Sequence, residues 1–347
     1  MVPPAAVPAE ATAVGGADVI GALRKDLWEQ FPLYLYYIYA LGMQHLVLAS
    51  LDPPAPTMAW TMLAPLAVFV IAQEARLRVG PSQGRAARRA WLGVAVVGGP
   101  ALIWLIARPF ALSDAVVRAI YEWTNLGWAA LLMLWLLRTR PAGQLGLYFG
   151  ALFAVGLVLE NGGIAMGYFE EVNYHVQVPG LHAPLATMLG WSMVMLMGLH
   201  VAFVLQRAWP ALGRNPLTLG TTAAVAITAL DVQIDPIASR VGCWRWVESA
   251  PPWLFEVPFL NFAAWLSALV PIFTMVLWVA REQGFDPQGP WSRAATLRVL
   301  LYAPACLFVC LVCFLGIMTL WDGGVDGPAW SVFGAFLADP VDKILGR

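Results

Sequence analysis

Long apolar runs recur along the chain at intervals that suit helices of about 20 residues, the length needed to cross roughly 30 Å of hydrocarbon. Nine such runs are predicted, at 31–50, 59–77, 90–112, 115–137, 146–168, 184–205, 216–239, 258–280 and 297–320, with eight as the alternative count. Alternation with a period of two is absent, which argues against a transmembrane barrel, and no internal repeat is evident. The predicted fold is all-α: a polytopic helical bundle embedded in a membrane. Residues 2–16 are rich in Ala, Pro and Gly and are expected to be disordered. Residues 18–30 read as an amphipathic helix on the membrane surface. The chain therefore divides into a flexible N-terminal segment (1–30), a transmembrane helical domain (31–325) and a C-terminal tail (326–347). No basic-then-apolar stretch with a small-residue cleavage site opens it, so no signal peptide is expected.

Composition sharpens this picture. Hydrophobic residues make up 60% of the 347 and charged residues only 12%, against about 45–50% and about 25% in an ordinary soluble domain. The mean hydropathy is +0.70. So little charge cannot cover a soluble surface, and a net charge of −1 provides no basic face for a nucleic acid. A soluble globular enzyme, a disordered chain and a nucleic-acid binder are thus excluded. Cytoplasmic loops hold an excess of Lys and Arg. Placing the N-terminus inside puts 14 of the 20 Lys and Arg there, among them Arg76, Arg78, Arg85, Arg88 and Arg89. The N-terminus is therefore expected in the cytoplasm, in a bacterial cytoplasmic membrane, with the C-terminus outside.

Several chemistries lack their residues. His45, His175, His182 and His200 form no HxxxH or HxxHH pattern, whereas membrane di-iron oxidations need about eight such ligands. His200 reads as a core residue and His175 and His182 as loop residues. No GxGxxG or GxxxxGK[ST] motif supports nucleotide or flavin binding. Cys306, Cys310 and Cys313 share a face of the last predicted helix, Cys243 sits alone in a loop, and all read as packing. No metal and no cofactor are expected, so any chemistry rests on carboxylates, aromatic rings and water.

An ionisable residue inside a membrane helix is costly, which makes it a functional candidate. Glu160 falls in Leu-Val-Leu-Glu-Asn-Gly-Gly, in the outer half of the fifth run. Asp231 and Asp235 fall near the outer end of the seventh, followed by Pro236, where the helix is expected to break. Four residues apart, the two aspartates share a helix face at about 6 Å. Two carboxyls that close in a poorly hydrated site do not both ionise, so one is expected to keep its proton, giving an acid beside a base. The alternative is a helix-end cluster that only ties the spans together. Trp244, Trp246 and Trp265 fall beside these acids. They suit either anchoring at the membrane interface or cation–π stabilisation of a carbocation. The pairs Glu74/Arg78 and Arg118/Glu122 read as i,i+4 ion pairs, Glu170 and Glu171 as solvated loop residues, and Gln44 and His45 as a polar wall.

The pattern T-A-x-D-x-x-x-D-P (228–236), then G-x-W-x-W (242–246), V-P (257–258) and N-F-x-x-W (261–265), resembles the carotenoid biosynthesis membrane proteins of the CruF type. Glu160, with Gly163 and then Gly167-Tyr168, is similar to that family's E-x-x-G and glycine/tyrosine-rich segment. The resemblance covers residues 160–265. It implies a carotenoid 1,2-hydratase that adds water to the terminal double bond of an acyclic ψ-end group, as in lycopene or γ-carotene; related archaeal members act on bisanhydrobacterioruberin. It also implies catalytic roles for Asp231, Asp235 and Glu160, and substrate binding by Trp244, Trp246, Asn261, Trp265 and Tyr168. The partners it implies are membrane lipid, a hydrophobic carotenoid and other carotenoid enzymes. Three positions depart from the family pattern: Glu256 and Ala264 replace glycines, and His182-Ala183-Pro184 replaces a V-P stretch.

Three other readings compete. Asp231-x-x-x-Asp235 is similar to the aspartate motifs of UbiA-type prenyltransferases, but those need a second motif and Mg²⁺, with both motifs on the cytoplasmic side. A lycopene-cyclase-like enzyme would share the protonation step and close a ring instead. A non-enzymatic proton-coupled carrier would use the acids as a relay, yet no inverted repeat supports it.

Overall fold

The computed structural model describes residues 16–50, 56–80, 85–107, 110–139, 142–247, 250–282 and 292–345. The segment 2–15, expected to be disordered, lies outside the described residues. A short helix α1 (Gly16–Glu29) covers the predicted surface helix. Each of the nine apolar runs then falls on a helix: α2 (Phe31–Ala49), α3 (Leu63–Val79), α4 (Arg85–Ala107), α5 (Asp114–Thr139), α6 (Ala142–Met166), α7 (Leu185–Ala208), α8 (Pro216–Arg240), α9 (Phe259–Glu282) and α10 (Arg293–Asp322). Two shorter helices follow, α11 (Pro328–Ala338) and α12 (Pro340–Leu345). Among the described residues, five helices are long and apolar enough to cross a membrane: Arg85–Ile106, Leu185–Ala208, Pro216–Arg240, Phe259–Glu282 and Arg293–Asp322. This is an integral membrane protein.

Helix α7 is the most enclosed of those five and α4 the least. Small residues allow close approach where α7, α8 and α9 meet, as in other membrane bundles. A Cβ on Gly198 would fall 2.3 Å from Ile227 Cγ1 of α8, and one on Gly220 would fall 2.9 Å from the Thr274 backbone nitrogen of α9. Polar side chains cross the core as bonded pairs. The Tyr36 hydroxyl donates to the Ala226 carbonyl at 2.8 Å, Tyr39 donates to Asn125 at 2.8 Å, and Gln233 donates to Gln44 at 3.1 Å. Gln44 is thus bonded within the core and is not among the residues that line the cavity described below.

At the opposite end of the helices from the site described below, charged residues cluster. Asp26 pairs with Arg76, and Glu74 of α3 bonds Arg89 of α4 at 3.0 Å. The expected Glu74/Arg78 partner is thus corrected: Arg89 offers a two-pronged contact from the next helix. Arg118 likewise leaves Glu122 and donates to the Val241 carbonyl at 2.5 Å.

Two other expectations change. Helix α8 does not break at Pro236 but runs on to Arg240, because proline's fixed φ is itself helical and only one ladder bond is lost. The chain is also not wholly helical. Strand β1 (Phe169–Glu171) pairs antiparallel with β2 (Trp244–Trp246), and β3 (Pro252–Leu254) with β4 (Val257–Pro258). The first ribbon follows from how two helices end. Gly167 at φ 87° lets Tyr168 N–H reach the Gly163 carbonyl and Gly167 N–H the Ile164 carbonyl. Gly242 at φ 73° does the same for α8, with Cys243 N–H on Ala238 and Gly242 N–H on Ser239. Both are Schellman caps with glycine in the left-handed position. They send the two chains off side by side.

Candidate active site

Beneath the β1–β2 ribbon lies a cavity of about 340 Å³ walled by α6, α7, α9 and α10. Its wall is apolar along Val158, Leu159, Leu260, Ala264, Leu307, Leu311 and Phe314. Val158 is also exposed on the outer surface of α6, so the cavity reaches the lipid-facing side between α6 and α10. Above this gap Tyr168 and Phe314 pack edge to face at 5.2 Å; below it Val155 and Leu159 pack on Cys306 and Cys310.

The polar end is built from the acids. Asp231 and Asp235 sit one turn apart on α8, both buried, with their carboxyls in hydrogen-bonding range of each other. Asn261, on the first turn of α9, donates to Asp231 Oδ2 at 2.9 Å. Asp235 and Asn261 line the cavity, whereas Asp231 is fully enclosed behind them. Glu160 of α6 is buried, lines the cavity and accepts the Trp191 indole N–H. Trp191 is stacked on Trp265 with ring centroids 4.4 Å apart. Trp244, Trp246, Trp265 and Tyr168 line the same cavity. Seven of the eight residues singled out from the sequence thus face one cavity, and Asp231 touches it through Asn261.

Two of these aromatics are held by polar contacts of their own. Trp246 Nε1–H donates to Ser239 at 3.0 Å, and the Tyr168 hydroxyl donates to the Ala329 carbonyl at 2.9 Å. Trp191, Tyr39, Tyr121 and Asn125 also line the cavity and were not singled out from the sequence; they lie far along the chain from the acid motifs. Glu171 was read as solvated and is corrected. In β1 alternate residues face opposite ways: Glu170 pairs outside with Arg245 at 3.2 Å, while both Glu171 carboxylate oxygens are buried at the cavity wall. Burial, reinforced by the neighbouring Glu160 charge, holds the Glu171 carboxyl well above the usual carboxylate range.

The loop after β1 is clamped on both sides. Buried Glu122 of α5 accepts the backbone N–H groups of His175 and Val176, the latter at 2.7 Å, together with the His175 ring at 2.7 Å. Asn161, beside Glu160, accepts His182 N–H at 2.6 Å and Ala183 N–H at 3.0 Å.

A helical membrane protein with an apolar cavity, closed at one end by paired acids and stacked indoles, is organised to act on a long hydrophobic substrate from the bilayer. A family model described as carotenoid biosynthesis protein matches residues 122–333, a stretch that holds the whole acid cluster. The chain belongs to that family, and its role is in carotenoid biosynthesis. No curated protein and no solved structure matches it.

The departures noted above have local explanations. Glu256 lies at φ 70° in the β3–β4 turn, a left-handed position where the family's glycine carries no steric cost. Ala264 lines the cavity, so its methyl narrows the space that a glycine would leave.

Proposed function

We propose that the protein hydrates the 1,2 double bond of an acyclic carotenoid end group. The observation that carries this reading is the meeting, in one membrane cavity, of a carboxyl pair, a second carboxylate and indole faces. The cavity volume of about 340 Å³ is at the small end of ligand sites, which suits one tip of a polyene whose remainder stays in lipid. The tip enters through the gap between α6 and α10. The Asp231–Asp235 pair, presented by Asp235, gives a proton to the terminal methine carbon, leaving a tertiary cation. The stacked faces of Trp191 and Trp265, with Trp244 and Trp246, stabilise it. Glu160, its orientation fixed by Trp191, balances the charge. Water adds to the cationic carbon and loses a proton, so each cycle consumes one water and no net proton. Asn261 holds the aspartate pair in place.

In this reading all nine long helices span a bacterial cytoplasmic membrane with the N-terminus inside, and the site lies toward the outer leaflet. The test is expression in a host that makes lycopene, followed by product mass. Gain of one water supports hydration. Unchanged mass with a new absorption spectrum would point to cyclisation, and a larger, Mg²⁺-dependent product to prenyl transfer.

A further inference from the structure

Buried polar atoms without a partner are costly, each about 1–3 kcal/mol, and here several face the same cavity. Both Glu171 carboxylate oxygens, the Trp244 indole nitrogen and Asp235 Oδ2 are buried without a hydrogen-bond partner, and all three residues line it. Glu171 and Trp244 lie directly opposite in the β1–β2 ribbon, so their side chains share its inner face. An N–H donor beside a carboxylate acceptor fits a small molecule that both donates and accepts. In a hydration site that molecule is water, which needs 2–4 polar partners in a cavity.

We propose that Glu171 and Trp244 hold the attacking water and that Glu171 is the general base of the reaction. This rests on the hydration reading. As the water oxygen bonds to the tertiary carbon, one O–H bond breaks and its proton passes to the Glu171 carboxylate. Glu160 interacts electrostatically with Glu171 and with both aspartates. Linked in this way to base and acid, and lining the same cavity, it is the route by which the proton returns to replace the one given to the alkene. The titratable groups facing Glu171 are Glu160 from α6, Tyr174 from the loop after β1 and Cys243 from the turn before β2. Burial raises the proton affinity of Glu171, which makes its carboxylate a stronger base than an exposed one.

The test compares wild type with Glu171→Gln, Glu171→Asp and Trp244→Phe in membranes supplied with lycopene. Expected is a fall of about 100-fold or more for Glu171→Gln at unchanged protein level, loss of the rising limb of the pH–rate profile, and partial rescue by Glu171→Asp. Trp244→Phe should fall about tenfold with the limb retained. Turnover of Glu171→Gln within about twofold of wild type, or a residual activity that keeps the limb, overturns the assignment while hydration stands. Labelling with a hydrophobic carbodiimide, read by peptide mass, tests the site without turnover. Modification of Glu171 that lycopene suppresses supports the placement, and an unreactive Glu171 overturns it. A wild-type protein that forms no water adduct overturns hydration and the base role together, even where carotene-protected labelling remains.

Discussion

Gly162 offers a way to fill the cavity from inside without disturbing the fold. It lies in α6, lines the cavity, and a Cβ built on it would meet nothing within 4 Å. Gly162→Leu would project four carbon atoms into that space, roughly 100 Å³ at the ~30 Å³ that a water-sized group occupies in a liquid. At about 24 cal/mol per Å³ of cavity, the recovered packing is about 2–3 kcal/mol. Replacing a mid-helix glycine with leucine adds about 0.8 kcal/mol. The variant should therefore be more stable than wild type by about 3 kcal/mol, which at roughly 2–4 °C per kcal/mol even for a smaller chain is a rise of several degrees. Close to a third of the 340 Å³ would be lost to the substrate, so retention of acyclic carotene on purification should fall by at least about 100-fold, and the hydrated product with it. Thermal unfolding in detergent by tryptophan fluorescence, together with carotenoid absorbance of the purified protein, reads both effects. A lower melting temperature, or wild-type carotene retention, would refute the placement of Gly162 and the cavity as the binding site.

Other outcomes are expected. Trp191→Phe keeps the stack on Trp265 but removes the N–H that holds Glu160; at about 1–3 kcal/mol for such a bond, product formation should drop roughly 5–150-fold and the melting temperature should fall by a few degrees. Because the folded-state proton affinity of Glu171 is raised above its unfolded value, its contribution to stability is fully present below the ordinary glutamate range near pH ~4.3. That contribution is lost as pH rises through the folded-state value, and Glu171→Gln should flatten the decline in melting temperature over that window. Glu256→Gly should stabilise the protein by about 1 kcal/mol by relieving a left-handed backbone position, and an unchanged or lower melting temperature would count against that turn geometry. Gly198→Val should destabilise by at least about 1–3 kcal/mol, since its side chain would overlap Ile227 and the Ala223 carbonyl. Normal yield and stability in that variant would contradict the close α7–α8 contact.

The helices were legible because membrane insertion writes itself into runs of apolar residues, and each of the nine runs lies on a helix. The acids on α6 and α8 were legible for the same reason, since a carboxylate has no business in hydrocarbon unless it does something. What escaped is what the apolar pattern cannot encode. Three residues are too few to announce a strand, so nothing in Glu170-Glu171 told the inward carboxylate from the outward one. Trp191 looked like one of many tryptophans until α7 placed it against Glu160. The i,i+4 rule proposed Arg118 for Glu122, yet backbone N–H groups from a loop some fifty residues away took the carboxylate, because a fixed pair of N–H donors loses less entropy on binding than a flexible side chain does.

The paired ribbon beneath the two glycine caps also sets a reading frame. Inserting one amino acid between Tyr168 and Glu170 would rotate every following side chain of that strand by half a turn, turning Glu170 inward and Glu171 outward. Insertions or deletions in this short stretch are therefore tolerable only in twos, and natural relatives that vary its length are expected to do so in even steps.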